Sequence, residues 1–308
     1  MLTISKIFFR CNLLIRQKIL MYDLGKEDVI GVIAHDAGAA AHIASYVSTL
    51  KNKVLFTLTG PAVGVFSDFY ETLPLLECDM LVAQTDLVIC GTGWQTDLEW
   101  RGISLCQKMK KPVVACIDHW TNYESRFVRN GLQVLPSEIW VFDTYANELA
   151  NSMFPTTVVC QYPNLYLERQ VKIVKDLDDL NQDRSPSILY LLEPMRECWS
   201  GEEPAEFEAL DHFISNLDSI STNAAKIYLK LHPSDPLGKY DNWLSRHQHL
   251  NITIKSGPLA EAISQSDVVV GCRTYAMVIA LYSGRTVYTS IPKSIQTFRL
   301  PYESITQF

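Results

Sequence analysis

The chain lacks most of the features that would assign it quickly. No apolar run approaches the ~20 residues needed to span a bilayer. Basic residues are not in excess: 27 Lys and Arg against 34 Asp and Glu leave a net charge of −7, which argues against nucleic acid as a partner. None of the eight cysteines (11, 78, 90, 106, 116, 160, 198 and 272) forms a CxxC pair. Thiols scattered through strand-like runs such as Leu87–Cys90 and Val113–Cys116 read as buried, reduced groups of a cytoplasmic protein, not as zinc ligands or a disulfide framework. No GxGxxG follows a strand, and GTG at Gly91 to Gly93 is too short for a dinucleotide fingerprint, so NAD is not expected. Asp176-Leu177-Asp178 has the DxD spacing of metal-dependent transferases. It lies in a charged stretch away from any strand end, so no metal is expected either.

What is present is an ordinary globular composition, 47% hydrophobic and 20% charged over 308 residues. At roughly 100–200 residues per domain this predicts two domains. The first twenty residues stand apart. Lys6, Arg10, Arg16 and Lys18 have no acidic neighbour to offset them, and Ile4, Ile7, Phe8, Cys11, Leu14 and Ile15 can share one helical face. Two readings stay open: an interfacial helix making peripheral contact with anionic lipid at the inner face of the membrane, and a poorly ordered extension ahead of a working start at Met21. No small-residue cleavage site follows, which argues against a secretory signal.

From Asp28 one grammar repeats: a short apolar run, a turn with Gly, Asp or Pro, then a helical stretch. The predicted strands are Val29–Ala34, Lys53–Leu58, Leu87–Cys90, Pro112–Ile117 and Glu138–Phe142. A charged, helix-prone stretch ends in QDRSPS, and the grammar restarts with Ile188–Leu192, Lys226–Leu231, Ile252–Ile254, Val268–Val270 and Thr286–Tyr288. Strands alternating with helices imply parallel sheets. The expected organisation is a basic extension (1–22), a first Rossmann-like domain (23–165), a linker (166–187) and a second Rossmann-like domain (188–308). The fold class is α/β, with the two domains facing across a cleft.

Ligands of open parallel sheets bind beyond the carboxyl ends of the strands. The polar residues there are therefore the candidates. In the first half they are His35, Asp36, Asp97, Glu99, Asp118 and His119, with Trp94, Trp120 and Tyr123 able to stack on sugar faces or to pack at the domain interface. In the second half they are Glu193, Arg196, His232, Pro233, Ser234, Ser256, Gly257, Glu261, Arg273 and Thr274. KLHPSD puts His232 directly after a strand, where its imidazole can donate to a phosphate, more strongly when protonated. Ser256 and Thr274 suit either a phosphate at a helix start or ordinary helix caps, and Asp36 suits either a general base or a cap.

The HP pair, SGPLAEAI and GCRTYAMVIALYSGRTV resemble the nucleotide-binding half of two-Rossmann (GT-B) glycosyltransferases. The HP pair in particular resembles bacterial sialyltransferase-like and polysialyltransferase-like enzymes that use CMP-activated acid sugars. The likeness covers roughly Ile188 to Ser290. It departs from the family at Cys272-Arg273-Thr274, where a Ser-rich turn is common, and the chain ends soon after its last predicted strand. The resemblance implies donor-phosphate contacts from His232, Pro233 and Thr274, and a catalytic carboxylate at the HDAG turn, here Asp36. The expected activity is metal-independent, inverting transfer from a nucleotide sugar to a cell-surface glycan. Rival expectations are an epimerase or hydrolase of the UDP-N-acetylglucosamine 2-epimerase type, and a non-catalytic nucleotide- or glycan-binding module.

Overall fold

The computed structural model describes residues 24–179, 186–195, 197–201, 203–220 and 226–308. The basic segment 1–20, with its membrane expectation, and Arg196 lie outside the described residues. The chain divides into two compact units, the first ending at Tyr166 and the second beginning at Leu167.

In the first unit the elements run β1 (Ile30–Ala34), α1 (Ala37–Val47), β2 (Val54–Leu58), α2 (Pro61–Ser67), α3 (Cys78–Gln84), β3 (Leu87–Cys90), α4 (Leu98–Met109) and β4 (Val113–Cys116). They continue with α5 (Tyr123–Arg126), β5 (Val128–Arg129), β6 (Leu132–Gln133), β7 (Glu138–Val141), α6 (Thr144–Met153) and β8 (Val158–Gln161); α7 (Leu165–Asp178) starts at the boundary and lies mostly in the second unit. Six strands form one parallel sheet in the order β2-β1-β3-β4-β7-β8, and β5 and β6 make a small antiparallel pair. β1, β3, β4 and β7 are buried along their whole length. That explains the unbroken apolar sequences of β1, β3 and β4, because a parallel sheet with helices on both faces offers no wet side; in β7 the one polar residue, Glu138, accepts the Trp140 indole N–H.

The second unit runs β9 (Ser187–Leu191), α8 (Ala205–Ser215), β10 (Lys226–Lys230), α9 (Asp241–Arg246), β11 (Ile252–Ile254), α10 (Leu259–Ser264), β12 (Val268–Gly271), α11 (Tyr275–Tyr282), β13 (Thr286–Thr289) and β14 (Ile305–Gln307). Its parallel sheet has the order β11-β10-β9-β12-β13-β14. Counted within the sheet this is 3-2-1-4-5-6, the Rossmann order, whereas the first sheet is 2-1-3-4-5-6. The two halves share an architecture but wind their sheets differently. Each order reverses at one place, between β1 and β3 in the first sheet and between β9 and β12 in the second. Those crevices are where this architecture receives ligands.

Four strands were absent from the sequence reading: the two-residue β5 and β6, and the edge strands β8 and β14. β8 and β14 are short, partly exposed edge strands with no clean pattern. β14 also means that strand structure continues beyond the last strand expected. The charged stretch taken for a linker is largely α7, and it is tied down: Asp176 pairs with Lys172, and Asp178 with Arg285. The seven cysteines among the described residues are unpaired, and five of them are buried. Among the described residues no helix is long and apolar enough to cross a membrane.

Gly31, in the middle of β1, lies where α3 presses on the sheet. A Cβ there would sit 2.5 Å from Leu81 Cδ2 and 3.1 Å from Thr85, both buried. Gly64, on α2, has open space around the same position. We expect Gly31→Val to destabilise the first domain by about 1–3 kcal/mol through overpacking. Gly64→Ala should instead stabilise it by roughly 0.5–1 kcal/mol. Urea unfolding followed by tryptophan fluorescence checks both signs.

Candidate active site

At the crevice of the first sheet, β1 delivers His35 and Asp36 while β3 delivers Gly91-Thr92-Gly93. α4, which starts just beyond, contributes Glu99. Glu99 is buried, and its Oε1 accepts the His35 backbone N–H at 2.8 Å. Its other oxygen is also buried and has no hydrogen-bond partner. Burial raises the Glu99 pKa, backbone N–H donors work against the rise, and the Asp36 charge adds to it.

Asp36 occupies the N-cap position of α1, yet its side chain makes no capping hydrogen bond. The cap explanation for this residue therefore fails. Its half-buried carboxylate makes no hydrogen bond among the described residues. Its pKa is raised, first by burial and then by Asp118, with His35 and Arg126 opposing. The glycines are what allow this crowding. A Cβ at Gly93 would lie 2.5 Å from Asp36 Oδ2 and 3.2 Å from Glu99 Oε1, and one at Gly38 only 2.0 Å from Asp118 Oδ2.

Asp118, after β4, completes the group. Burial works against its charge, but Arg126, His119 and His42 outweigh it and the pKa falls. Arg126 Nη1 bonds Asp118 Oδ1 at 2.9 Å and Thr92 Oγ1 at 2.8 Å. The sequence reading missed Arg126, which sits in a four-residue helix with no strand end to advertise it. The result is one ion-paired carboxylate, one unbonded carboxylate and one buried carboxyl group held at the end of β1. That set has the chemistry of general acid–base work.

The other first-half candidates lie further out. His35 Nδ1 meets Thr59 Oγ1 at 2.8 Å, and His119 Nδ1 meets Thr121 Oγ1 at 3.1 Å. Asp97 is exposed and ion-paired with Arg129 at 3.0 Å. Trp94 is half-exposed, whereas Trp120 and Tyr123 are buried, Trp120 donating to Asp143. This corrects the stacking expectation for Trp120 and Tyr123, since a buried ring offers no face to a sugar.

In the second domain Glu193 and Arg273 meet across the β9–β12 crevice. Glu193 Oε2 accepts the Arg273 backbone N–H at 3.0 Å, and the side chains pair at 3.7 Å. Arg273 also bonds Glu197 at 3.1 Å and Thr297 at 2.7 Å. The guanidinium is thus already engaged by the protein, and its part in the crevice is a tie between loops. Thr274 sits at the N-cap of α11 without a side-chain capping bond, and Pro258, not Ser256, takes that position for α10. Neither hydroxyl is spent on a cap. Gly257, at φ +84°, offers its carbonyl to Lys230, and Glu261 bonds Gln265 at 3.2 Å. His232 and Ser234 share a turn beside Pro233, and burial lowers the His232 pKa. Among the described residues no group of three His, Cys, Asp or Glu side chains is placed to hold a metal ion.

Two Rossmann-like domains, each a six-stranded parallel sheet, define an α/β protein of the two-Rossmann (GT-B) fold class. No protein-family model and no curated protein matches the chain. Among solved structures, the chain is similar to a Listeria monocytogenes protein described as a UDP-N-acetylglucosamine 2-epimerase. That match has 15% identity and a TM-score of 0.60, and covers 85% of this chain and 79% of the other. It is similar to S. aureus MnaA bound to UDP (13%, TM-score 0.59, 85% and 79% covered). It is also similar to the UDP-GlcNAc 2-epimerase of Methanocaldococcus jannaschii (11%, TM-score 0.55, 85% and 83% covered). At such identities the likeness is one of fold.

A carboxyl group whose pKa is raised on folding binds its proton more tightly in the native state. Stability then falls as pH rises from the ordinary Glu range through the native pKa. Glu99→Gln keeps an acceptor for the His35 N–H and removes the buried charge. We expect a higher melting temperature than wild type at pH 7–8, with the gain disappearing near pH 4. Calorimetry across that range checks it.

Proposed function

We propose that this chain is an enzyme acting on a nucleotide sugar, with the second domain taking the nucleotide and Asp36 of the first domain handling the proton. The observation that carries the reading is the Asp36 carboxylate, unbonded and with a raised pKa at the β1–β3 crevice. The reaction assigned first is inverting, metal-independent transfer to a glycan hydroxyl. The acceptor oxygen bonds to the anomeric carbon, Asp36 takes its proton, and the nucleotide leaves with the electron pair of the broken C–O bond. His232, Thr274 and Ser256 are the side chains best suited to the nucleotide phosphate, because none of their polar groups is used to cap a helix. The HP turn favours a CMP-linked acid sugar as donor.

A second reading, an epimerase or hydrolase acting on the donor alone, has a specific observation in its favour. Two of the similar structures carry the UDP-N-acetylglucosamine 2-epimerase name, and a third holds UDP. Asp36 would then exchange a proton with sugar carbon or water. Product analysis separates the two readings: transfer requires an acceptor, whereas an epimer or free sugar forms without one.

Asp36→Asn preserves shape and removes basicity. With no capping bond to lose and a carboxyl whose pKa is raised on folding, the variant should melt at or above the wild-type temperature at pH 7–8 and keep nucleotide affinity. Its turnover should drop by about 10²-fold or more. Turnover within a few-fold of wild type would sink the assignment of Asp36. Thermal shift against CMP, UDP, GDP and NAD tests the donor. A ligand that binds only the native state at about 100 times its Kd adds roughly 2.7 kcal/mol. CMP should give the largest shift, and EDTA should leave turnover unchanged. A larger shift with UDP would move the donor to the uridine class.

A further inference from the structure

The turn after β10 is held from below by a row of buried charges. The Asp235 side chain is fully buried. Its Oδ2 accepts the His232 backbone N–H at 2.9 Å, and its Oδ1 pairs with Lys239 Nζ at 2.7 Å. Lys239 also pairs with Glu206 of α8 at 2.5 Å, and the second Glu206 oxygen accepts the Met195 N–H in the loop after β9. Burial opposes the Lys239 charge, but the two carboxylates outweigh it and raise its pKa. The loops after β9 and β10 are therefore clipped together, and the backbone of His232 has little freedom to move.

The imidazole has a defined orientation of its protons as well. Ser234 Oγ lies 2.8 Å from His232 Nδ1, and the Ser234 backbone N–H points to the same nitrogen at 3.2 Å. A backbone N–H can only donate, so Nδ1 must present its lone pair. A proton on Nδ1 would set N–H against N–H. The Ser234 hydroxyl, free to rotate, then donates to Nδ1 too, and the ring proton resides on Nε2. His232 Nε2 makes no hydrogen bond among the described residues.

We propose that Ser234 is a positioning residue that fixes His232 as the Nε2–H tautomer, so that the turn presents one pre-aimed neutral donor to an anionic oxygen such as a nucleotide phosphate. Ser234 thereby acts on the ligand through His232 and not by direct contact. The phosphate part of this inference rests on the nucleotide reading above; the tautomer does not.

The test uses the full chain, labelled with 15N-histidine and free of nucleotide. Long-range 1H–15N correlation should show His232 protonated at Nε2. The Nδ1 resonance should move in Ser234→Ala and return in Ser234→Thr. A ring protonated at Nδ1 in the wild type, or an Nδ1 resonance indifferent to Ser234→Ala, overturns the proposal. CMP titrated into the same samples should bind roughly three- to tenfold more weakly to Ser234→Ala, the loss of about one neutral hydrogen bond. The Nε2–H tautomer in a wild type that binds neither CMP nor UDP would uphold the role of Ser234 while removing the nucleotide assignment.

Discussion

A peptide N–H stranded at the end of a parallel strand needs an acceptor, and in this protein a glutamate supplies it twice, once buried and once partly buried. Glu99 takes the His35 N–H at the close of β1, and Glu193 takes the Arg273 N–H beyond β12. Each bond spans the place where its sheet reverses strand order. The loop on one side of the crevice is thereby fixed to the element on the other. In the first domain this bond brings Glu99 against Asp36 and crowds negative charge into a space that only Gly38 and Gly93 leave open. In the second it occupies Arg273, whose guanidinium also bonds Glu197 and Thr297. The same device packs carboxylates together in one domain and ties loops together in the other.

Charge distribution follows from this. Asp118 is neutralised by Arg126, while Asp36, one residue past the strand, receives only the more distant influence of His35 and Arg126. Separation of carboxyl roles by environment is the usual route to acid–base chemistry near neutral pH. Here it is achieved by a single arginine bonded to one carboxylate and not to its neighbour.

The strands flanking both crevices were legible because they are buried on both faces and read as continuous apolar runs. Their ends were legible for the same reason, which is how Asp36 and Thr274 could be placed at strand ends; His232 follows β10, whose KIYLK instead alternates buried and half-buried positions. Edge strands β8 and β14 were not, since half-exposed strands mix polar and apolar residues. Arg126, Glu206 and Lys239 were also invisible. Each reaches its partners from a helix or loop several to many residues away in sequence, and no local pattern distinguishes such a residue from a solvated surface charge. Spacing in sequence says equally little about pairing: the two acids of the DxD stretch meet Lys172 and Arg285.

The burial of the thiols has a practical side. Burial pushes Cys90, Cys106, Cys116 and Cys272 well up from the usual thiol range, so at neutral pH they hold almost no thiolate to react. Cys198 is the one exposed thiol among the described residues, and it lies next to Glu197, which bonds Arg273. Among the described thiols, a maleimide dye added to the native protein would therefore attach chiefly at Cys198. It would place a fluorescent reporter beside the β9–β12 crevice without any engineered cysteine.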